Sequence, residues 1–166
     1  TATDTATDTA TDTATDTATD TATDTATDTS ESACSVEDLE FTIEMRDDAG
    51  QTVDAYTTSD LPTMAALVTN GCSDGPVTFT TESTCLVTKW TVTGPDDVPR
   101  DIEPLCTPET TSWSIPADGV QEVTYRSEAL PEGSYDVAVT FGLMGEMAET
   151  SFDVEAPEAE ETVERP

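Results

Sequence analysis

Four cysteines have the clearest chemistry in this sequence, and their spacing favours disulfides over a metal site. Cys34, Cys72, Cys85 and Cys106 allow three pairings, and spacing alone does not choose among them. We favour Cys34 with Cys72 and Cys85 with Cys106, which close loops of about 40 and about 20 residues, each worth about 3 to 4 kcal/mol in the chain-entropy model. A zinc site is disfavoured because the chain has no Cys-x-x-Cys pair and no histidine. Disulfides in turn predict an oxidising compartment.

Side chains suited to catalysis are scarce. Without histidine the chain cannot form a Ser-His-Asp or Cys-His arrangement. The sole lysine, Lys89, lies within a predicted strand, where we expect it to point to solvent. Neighbouring acids such as Asp47-Asp48 and Asp96-Asp97 are expected by chance among 36 acidic residues, and both pairs lie in predicted turns, where Asp is favoured by the backbone. The sequence therefore predicts a protein that is not an enzyme.

Calcium is the one metal that the acidic turns could bind, since it prefers carboxylate and carbonyl oxygens. The sequence has no Asp-x-Asp-x-Asp-Gly loop. Asp47, Asp48, Asp96 and Asp97 are therefore calcium candidates only if their two turns converge in the fold. We expect no other cofactor.

Residues 1–28 consist of seven consecutive Thr-Ala-Thr-Asp units, with Thr at every odd position. Alanine is the only apolar residue of each unit, and it buries too little area to offset the roughly 1–2 kcal/mol per residue lost when a backbone is fixed. We therefore expect residues 1–33 to be a stalk or linker outside any packed core. Clustered threonines with small neighbours suit dense O-glycosylation. The candidate sites are the repeat threonines: Thr1, Thr3, Thr5, Thr7, Thr9, Thr11, Thr13, Thr15, Thr17, Thr19, Thr21, Thr23, Thr25 and Thr27. The alternative is a simple low-complexity linker.

The charge of the chain is strongly negative, because 36 acidic and five basic residues give a net charge of -31. Nucleic acids and anionic membrane surfaces are disfavoured as partners, since both require a basic face. No apolar run approaches the roughly 18–20 residues of a membrane-spanning helix, so we expect no insertion of this chain into a bilayer. We expect a secreted or cell-surface protein, and a lipid anchor preceding Thr1 is one way to hold it there.

Short alternating apolar segments follow the repeat and predict strands. The clearest lies at 38–46, where apolar residues alternate with Glu40, Thr42 and Glu44. The predicted strands are 38–46, 53–57, 64–69, 77–81, 86–92, 111–115, a strand around 123–125, 135–141 and 147–154. No segment has a sustained helical stripe. The pattern predicts an antiparallel immunoglobulin-like β-sandwich of seven to nine strands over residues 34–154, followed by an acidic tail over 155–166, with a barrel as the alternative.

Aromatic residues and the last hairpin give further expectations. Trp90 and Trp113 occupy alternating strand positions, which favours packing in the core over a sugar-binding surface. The hydroxyl of Tyr135, at the start of a late strand, is placed to lock a corner to nearby backbone. Leu143 and Met144 in the last hairpin either form an apolar tip for a partner or fold back onto the core.

Three stretches between residues 60 and 141 share turn and core residues with a known family. They are Leu67-Val68-Thr69-Asn70 with Pro76-Val77-Thr78-Phe79, Trp90-Thr91-Val92, and Leu130-Pro131-Glu132-Gly133-Ser134-Tyr135-Asp136-Val137. Together they resemble the BsuPI family of intracellular proteinase inhibitors and similar immunoglobulin-like domains of bacterial surface lipoproteins. The resemblance implies an immunoglobulin-like sandwich. The cysteines and the Thr-rich repeat depart from the family's namesake, which argues against an intracellular role, and no reactive-site motif is matched.

These features predict a non-enzymatic, extracellular structural or surface-displayed β-sandwich on a Thr-rich, O-glycosylated stalk. Its expected partners are further copies of itself, in a filament or surface layer, or another surface protein. If copies join by strand addition, Asp38–Arg46 is the better donor, because the repeat lacks large apolar residues. The alternative is a binding module, such as a BsuPI-like proteinase inhibitor or an adhesin head. Its candidate loop is the Pro-rich segment Pro95–Pro108, pinned by Cys85 and Cys106.

Overall fold

The computed structural model describes residues 34–143 and 145–157, and this part of the chain consists mainly of strands. A short 3-10 helix, Val36–Asp38, precedes the first strand. The strands are β1 (Leu39–Arg46), β2 (Ala55–Thr57), β3 (Thr63–Asn70), β4 (Val77–Thr81), β5 (Val87–Thr93), β6 (Pro99–Ile102), β7 (Thr111–Ile115), β8 (Val120–Arg126), β9 (Gly133–Phe141) and β10 (Met147–Glu155). The repeat, with all the predicted glycosylation threonines, lies outside the described residues, as do Met144 and residues 158–166 of the predicted acidic tail.

Two sheets form the body of the domain. One has the strand order β1-β3-β8 and the other β2-β10-β9-β5-β6, while β4 and β7 form a separate pair. Among the described strands every pairing is antiparallel except that of β2 with β10. The fold is the predicted all-β immunoglobulin-like sandwich.

Strand β6 is missing from the sequence-based prediction, which treats this region as an irregular connection. Pro99 begins the strand, and Arg100 and Asp101 are both exposed, so the segment has no apolar alternation. In the structure it pairs with β5 at the edge of the five-stranded sheet. Proline and charged residues are tolerated there because one side of an edge strand needs no hydrogen-bond partner. The described chain therefore has ten strands where seven to nine are predicted.

Strand β3 is buried on both faces, and Met64 through Val68 are all nearly free of solvent contact. It lies between β1 and β8, which pair with it along most of its length. Arg46 of β1 bonds Glu44 at 2.9 Å and reaches across β3 to Glu122 of β8, also at 2.9 Å. The hydrogen bond to Glu44 is the main cause of the raised pKa of Arg46. This ion-pair group joins the outer strands of the sheet over the central one.

The core lies between the sheets, and β9 contributes to it at alternate positions. Tyr135, Val137, Val139 and Phe141 are all buried, as predicted from their spacing. The ring of Phe141 packs against Phe41 of β1, with the ring centroids 4.8 Å apart. Alternation along β9 thus joins the five-stranded sheet to the three-stranded one.

The two tryptophans pack within the domain. Trp90 is 2% exposed and belongs to the main apolar cluster. Trp113 is half-buried against that cluster, and its indole Nε1 donates to Thr81 Oγ1 at 2.9 Å. The prediction of core packing for these residues is confirmed.

Candidate functional site

The N-terminal end of the described chain is bonded covalently to the sandwich. Cys34 forms a disulfide with Cys72, with the two Cα atoms 5.6 Å apart. Immediately after it, Ser35 caps the 3-10 helix by accepting from Glu37 N, while Asp38 accepts from Ser35 N at 2.7 Å. The chain that follows the repeat is therefore fixed in both position and direction before β1 begins.

Asn70 holds the segment that carries Cys72. Its side chain is fully buried, and its Nδ2 donates to the carbonyl oxygens of Gly75, Ile115 and Pro116 at 3.0 to 3.1 Å. Its Oδ1 accepts from Cys72 N at 2.9 Å. Gly75 lies in the connection between β3 and β4, and Pro116 lies in the connection between β7 and β8. One side chain therefore holds these two connections together. We call Cys34, Cys72 and Asn70 the stalk junction.

A second disulfide, Cys85 with Cys106, holds a loop on another part of the domain. Both disulfides follow the pairing favoured from the sequence. Thr84 N donates to Thr107 O at 3.1 Å, and Thr107 N donates back to Thr84 Oγ1 at 3.1 Å. Leu105 directly precedes Cys106 in the chain. Its side chain is 104% exposed, the highest value among the exposed large apolar residues. Strand β6 occupies residues 99–102 and so divides the predicted binding segment Pro95–Pro108. We call the part that carries Leu105, residues 103–108, the cystine loop.

A hollow of about 1130 Å³ opens beside the cystine loop. Its wall includes Phe79, Phe141 and Leu143 together with Cys106 and Thr107. Leu143 is 7% exposed, so this part of the last hairpin folds back onto the core, which is one of the two alternatives stated for it. The hollow thus lies between the sandwich core and the loop that displays Leu105.

The predicted tyrosine corner is present at the start of β9. Tyr135 Oη donates to the carbonyl oxygen of Pro131 at 2.9 Å, and its ring stacks on Phe152 with centroids 5.3 Å apart. Gly133 has φ +146°, and a Cβ there would lie 2.1 Å from Pro95 Cγ, so only glycine fits. The corner is a packing feature that fixes the approach of β9 to the sheet.

The structure does not assemble the predicted calcium ligands. Asp47 Oδ1 accepts from the backbone of its own turn, and Asp48 pairs with Arg126. Asp96 accepts from Val98 N and pairs with Arg100 at 3.3 Å, and these contacts, the backbone one first, lower its pKa. Over residues 34–143 and 145–157, no three acidic, histidine or cysteine residues are placed to hold a metal ion.

The calcium prediction requires the two acidic turns to bring their carboxylates together, and no group of three acidic residues placed for a metal ion is found in the described part of the chain. The pair Asp47-Asp48 lies in the β1–β2 connection, whereas Asp96-Asp97 lies in the β5–β6 turn. Asp97 has φ 54°, the left-handed conformation that Asp tolerates in tight turns. Both pairs therefore shape turns.

A different acidic cluster surrounds a buried tyrosine. A hollow of about 340 Å³ is lined by three aspartates, Asp47, Asp48 and Asp60, and by Tyr56. Tyr56 is 3% exposed, and its hydroxyl has no hydrogen-bond partner among the described residues. Burial, and then the negative charges of Asp47, Asp54 and Asp60, raise its pKa to about 12. We call this group the acidic hollow.

Lys89, the sole lysine, is placed at the surface. Its side chain is 39% exposed, and Nζ lies 3.7 Å from Asp101 Oδ2 of the neighbouring strand. The pair joins β5 to β6 on the outer side of the sheet.

Within the residues that the structure describes, we find no helix with the length and apolar character needed to cross a bilayer.

No protein-family model and no curated protein matches the chain. Among solved structures, the chain is similar to a CARDB domain from Pyrococcus furiosus, crystallised in complex with di-metal ions, with 14% identity, a TM-score of 0.38, and coverage of 73% of this chain and 97% of that one. The solution structure of the same domain has 13% identity, a TM-score of 0.35, and coverage of 72% of this chain and 97% of that one. A PapD-like domain of human CEP192 has 15% identity, a TM-score of 0.25, and coverage of 71% of this chain and 87% of that one.

Three of these features are missing from the sequence-based reasoning. The sequence patterns place Asn70 only in a stretch shared with a known family, Leu105 in the Pro-rich segment Pro95–Pro108, and Tyr56 in the predicted strand 53–57. No local signal distinguishes them, because burial and exposure at these positions depend on strands that are distant in sequence. The one usable clue is that Leu105 directly precedes a cysteine between two prolines.

Proposed function

We propose that this protein is a non-enzymatic β-sandwich module that is secreted or displayed at a cell surface on the Thr-rich segment 1–33. The observation that carries the proposal is the Cys34–Cys72 disulfide, which joins the residue directly after that segment to the body of the domain. A stalk needs a firm attachment at its base, and a covalent bond supplies one. Disulfides persist in oxidising compartments, which supports a location outside the cytosol.

The stalk junction also decides where a pulling force would act. Tension along residues 1–33 reaches Cys34 and passes through the disulfide to Cys72, so β1 is not peeled from β3. Asn70 then distributes the force over further strands. Its bonds connect the segment of Cys72 to the start of β4 and to the end of β7. The arrangement suits a domain held away from a surface.

O-glycosylation of the repeat is part of the proposal. Threonine at every second position places the hydroxyls on one face of an extended chain, and sugars there stiffen it by crowding. A fully extended 28-residue repeat spans about 90 Å, against about 30 Å for a flexible coil. A glycosylated repeat would therefore act as a spacer.

Self-association through a strand edge is the second part of the proposal. Strand β8 pairs only with β3 among the described strands, so its outer edge is available to a strand from another copy. The donor suggested from sequence, β1, is paired with β3 along all of its length and would have to leave its own sheet. An added strand at β8 is therefore the better supported contact. Fibres seen by negative-stain microscopy would support it, and discrete monomers at high concentration would contradict it.

The location is tested with antibodies raised against the sandwich. We expect them to bind intact, non-permeabilised producing cells, or to find the protein in the medium. A signal that emerges only after permeabilisation would contradict display and secretion together. An antibody against a cytosolic protein of the same cells is the control for membrane integrity.

A second candidate function is a binding module, such as a proteinase inhibitor of the BsuPI type. The observation that favours it is the full exposure of Leu105 on the cystine loop. A rigid loop loses little conformational entropy on binding, and an exposed leucine gains about 2 kcal/mol when a pocket buries it. The expected partner is a protease or other protein with an apolar pocket of leucine size.

A protease panel tests this second function. We expect stoichiometric inhibition of proteases that prefer leucine, and its loss in Leu105→Ala. The matched control is Val120→Ala, which removes another exposed apolar side chain, at 55% exposure, on β8 and outside the segment Pro95–Pro108. Absence of inhibition across the panel would exclude the inhibitor role.

A further inference from the structure

The acidic hollow contains a buried polar group that the fold leaves without a partner. Buried hydroxyls in proteins are nearly always hydrogen-bonded, since a buried polar group without a partner loses its bonds to water and gains none in return. Tyr56 is 3% exposed, and its hydroxyl has no partner in the described part of the chain. The ring itself is well packed, edge-on to Phe152 with centroids 5.4 Å apart. The ring is thus fixed by packing, while its hydroxyl is left for a group that comes from outside.

The surroundings of this hydroxyl are negative. Asp47 and Asp60 line the same hollow as Tyr56, and both act electrostatically on its hydroxyl, as does Asp54. Asp48 also lines the hollow but is already paired with Arg126. A ligand that enters the hollow therefore meets an acidic wall and favours a positive charge.

Asp47 and Asp60 each keep one carboxylate oxygen available. Asp47 Oδ1 accepts from Ala49 N and Gln51 N at 2.9 and 2.8 Å, and Asp60 Oδ2 accepts from both the amide and the hydroxyl of Thr57 at 2.6 and 2.9 Å. Their second oxygens, Asp47 Oδ2 and Asp60 Oδ1, accept no hydrogen bond from the described residues. The turns thus fix the carboxylates by one oxygen and leave the other free.

The spacing of these groups argues against a bare metal ion as the ligand. A metal ion needs oxygen ligands that converge on one point, and no three acidic side chains of the described chain do so. A guanidinium group instead presents five N–H donors around a planar fork, so it can bond acceptors that lie apart. Arg46 is an example within the chain, since its guanidinium group bonds Glu44 of β1 and Glu122 of β8.

We propose that the acidic hollow, formed by Asp47, Asp60 and Tyr56, binds the guanidinium group of an arginine presented by a protein partner. The two free carboxylate oxygens accept N–H groups of the guanidinium, and the Tyr56 oxygen accepts a third. This site is independent of the stalk junction and of the cystine loop, and therefore of both functions proposed above.

Titration of the full, oxidised chain with methylguanidinium tests the proposal. Binding is measured by the changes in amide chemical shifts in NMR spectra. We expect saturable shifts centred on the amides of Asp47, Tyr56 and Asp60. Tetramethylammonium is the matched ligand control, since it has the same charge but no N–H donor, and it should give no saturable shift. Equal binding of the two cations would overturn the proposal, as would tighter binding of calcium at the same residues.

Variants separate the site from the general negative charge of the surface. Asp47→Asn removes the charge but keeps the Oδ1 acceptor for its turn, and it should weaken binding about tenfold. Tyr56→Phe removes the hydroxyl and should weaken binding several-fold. The control is Asp136→Asn, which lies in another hollow, of about 540 Å³, on the outer face of the five-stranded sheet and should leave the affinity unchanged. An equal loss in Asp136→Asn would show that binding reflects surface charge only and would overturn the proposal.

An arginine-containing peptide extends the test from the small probe to the proposed occupant. We expect a peptide with one central arginine to compete with methylguanidinium for the same amides, and the citrulline version, which lacks the charge, to fail. A citrulline peptide that competes equally well would contradict recognition of the guanidinium cation. Unfolding midpoints of all variants, compared with the parent chain, identify any variant that has failed to fold, and Asp60→Asn then replaces it.

Discussion

The stalk junction and the acidic hollow both bury a polar side chain, and they treat it in opposite ways. Asn70 is fully buried and makes four side-chain hydrogen bonds to backbone groups. Tyr56 is almost as deeply buried, and its hydroxyl makes none within the described residues. Both side chains belong to the same small domain, so the difference comes from the local surroundings.

The number of hydrogen-bond partners separates structural from functional buried polar groups in this fold. A buried amide whose donors and acceptor are all used holds strands together, and its role ends there. A buried hydroxyl without a partner costs stability unless something else supplies the bond. The stalk junction therefore raises the free energy of unfolding of the domain, whereas the unpartnered hydroxyl of the acidic hollow lowers it.

Removing the Cys34–Cys72 disulfide should have the largest effect on stability. With a sequence separation of 38, the chain-entropy model gives about 4 kcal/mol, against about 3 kcal/mol for Cys85–Cys106 with a separation of 21. We expect the double variant Cys34→Ser with Cys72→Ser to lower the free energy of unfolding by about 4 kcal/mol in urea titrations. The matched control, Cys85→Ser with Cys106→Ser, should lose less. The reverse order would contradict a junction built for stability.

Asn70→Ala should be nearly as harmful. It takes the Nδ2 donor from the carbonyl oxygens of Gly75 and Ile115 and the acceptor from Cys72 N, whereas Pro116 O still accepts from Gly119 N. We expect the loss to cost about 3 kcal/mol in unfolding free energy. Asn70→Asp keeps the acceptor for Cys72 N but points a carboxylate at carbonyl oxygens, so it should also destabilise, and more so as the carboxylate ionises. A loss below about 1 kcal/mol in Asn70→Ala would show that the four bonds do not hold the junction.

Alkaline titration probes the opposite region. The folded-state pKa of Tyr56, about 12, lies above the ordinary value of 10.0, so the folded state holds this proton longer than the unfolded chain. This proton therefore leaves stability unchanged below about pH 10, and the free energy of unfolding falls by about 2 to 3 kcal/mol as pH rises to about 12, because burial and the nearby carboxylates disfavour the ionised hydroxyl. We expect Tyr56 to form tyrosinate in a step near pH 12 in absorbance titrations, and Tyr56→Phe to lack that step, while burial also raises the pKa of Tyr135 and delays its ionisation in both proteins. Ionisation of all tyrosines near pH 10 would contradict the burial of this hydroxyl among carboxylates.

Tyr56→Phe should have the smallest effect, and its sign is informative. Without ligand, the substitution removes an unpartnered buried hydroxyl and should raise the free energy of unfolding at neutral pH by about 1 kcal/mol. Tyr135→Phe is the control, since the hydroxyl of Tyr135 bonds Pro131 and its removal should lower stability by a similar amount. If Tyr56→Phe destabilises as Tyr135→Phe does, the hydroxyl has a partner and the contrast between the two regions fails.

Much of the fold could be predicted from the sequence, because the apolar alternation is strong and local. β4 and β7 have the predicted bounds, and the inward residues of β9 are those the alternation predicts. The tyrosine corner follows from the Pro-Glu-Gly-Ser-Tyr segment in the same way. β6 could not be found, because an edge strand of Pro-Arg-Asp-Ile needs no apolar side.

The candidate sites could be predicted only in part. The disulfide pairing follows the preference stated from the cysteine positions. The calcium candidates lie in two separate turns, and no local pattern in a sequence shows whether two turns meet in space. Asn70 and Tyr56 depend on contacts with strands far away in the chain, such as Ile115 for Asn70 and Phe152 for Tyr56. Their roles become visible only when the sheets are in place.

An intact-mass spectrum of the native protein tests whether a disulfide-bonded sandwich carries a glycosylated stalk. We expect a mass above the 17.5 kDa of the chain by whole sugar units, which glycopeptide mapping places on residues 1–28. Reduction should add about 4 Da, because each of two disulfides takes up two hydrogens. A native mass equal to that of the bare chain, with no change on reduction, would contradict the account.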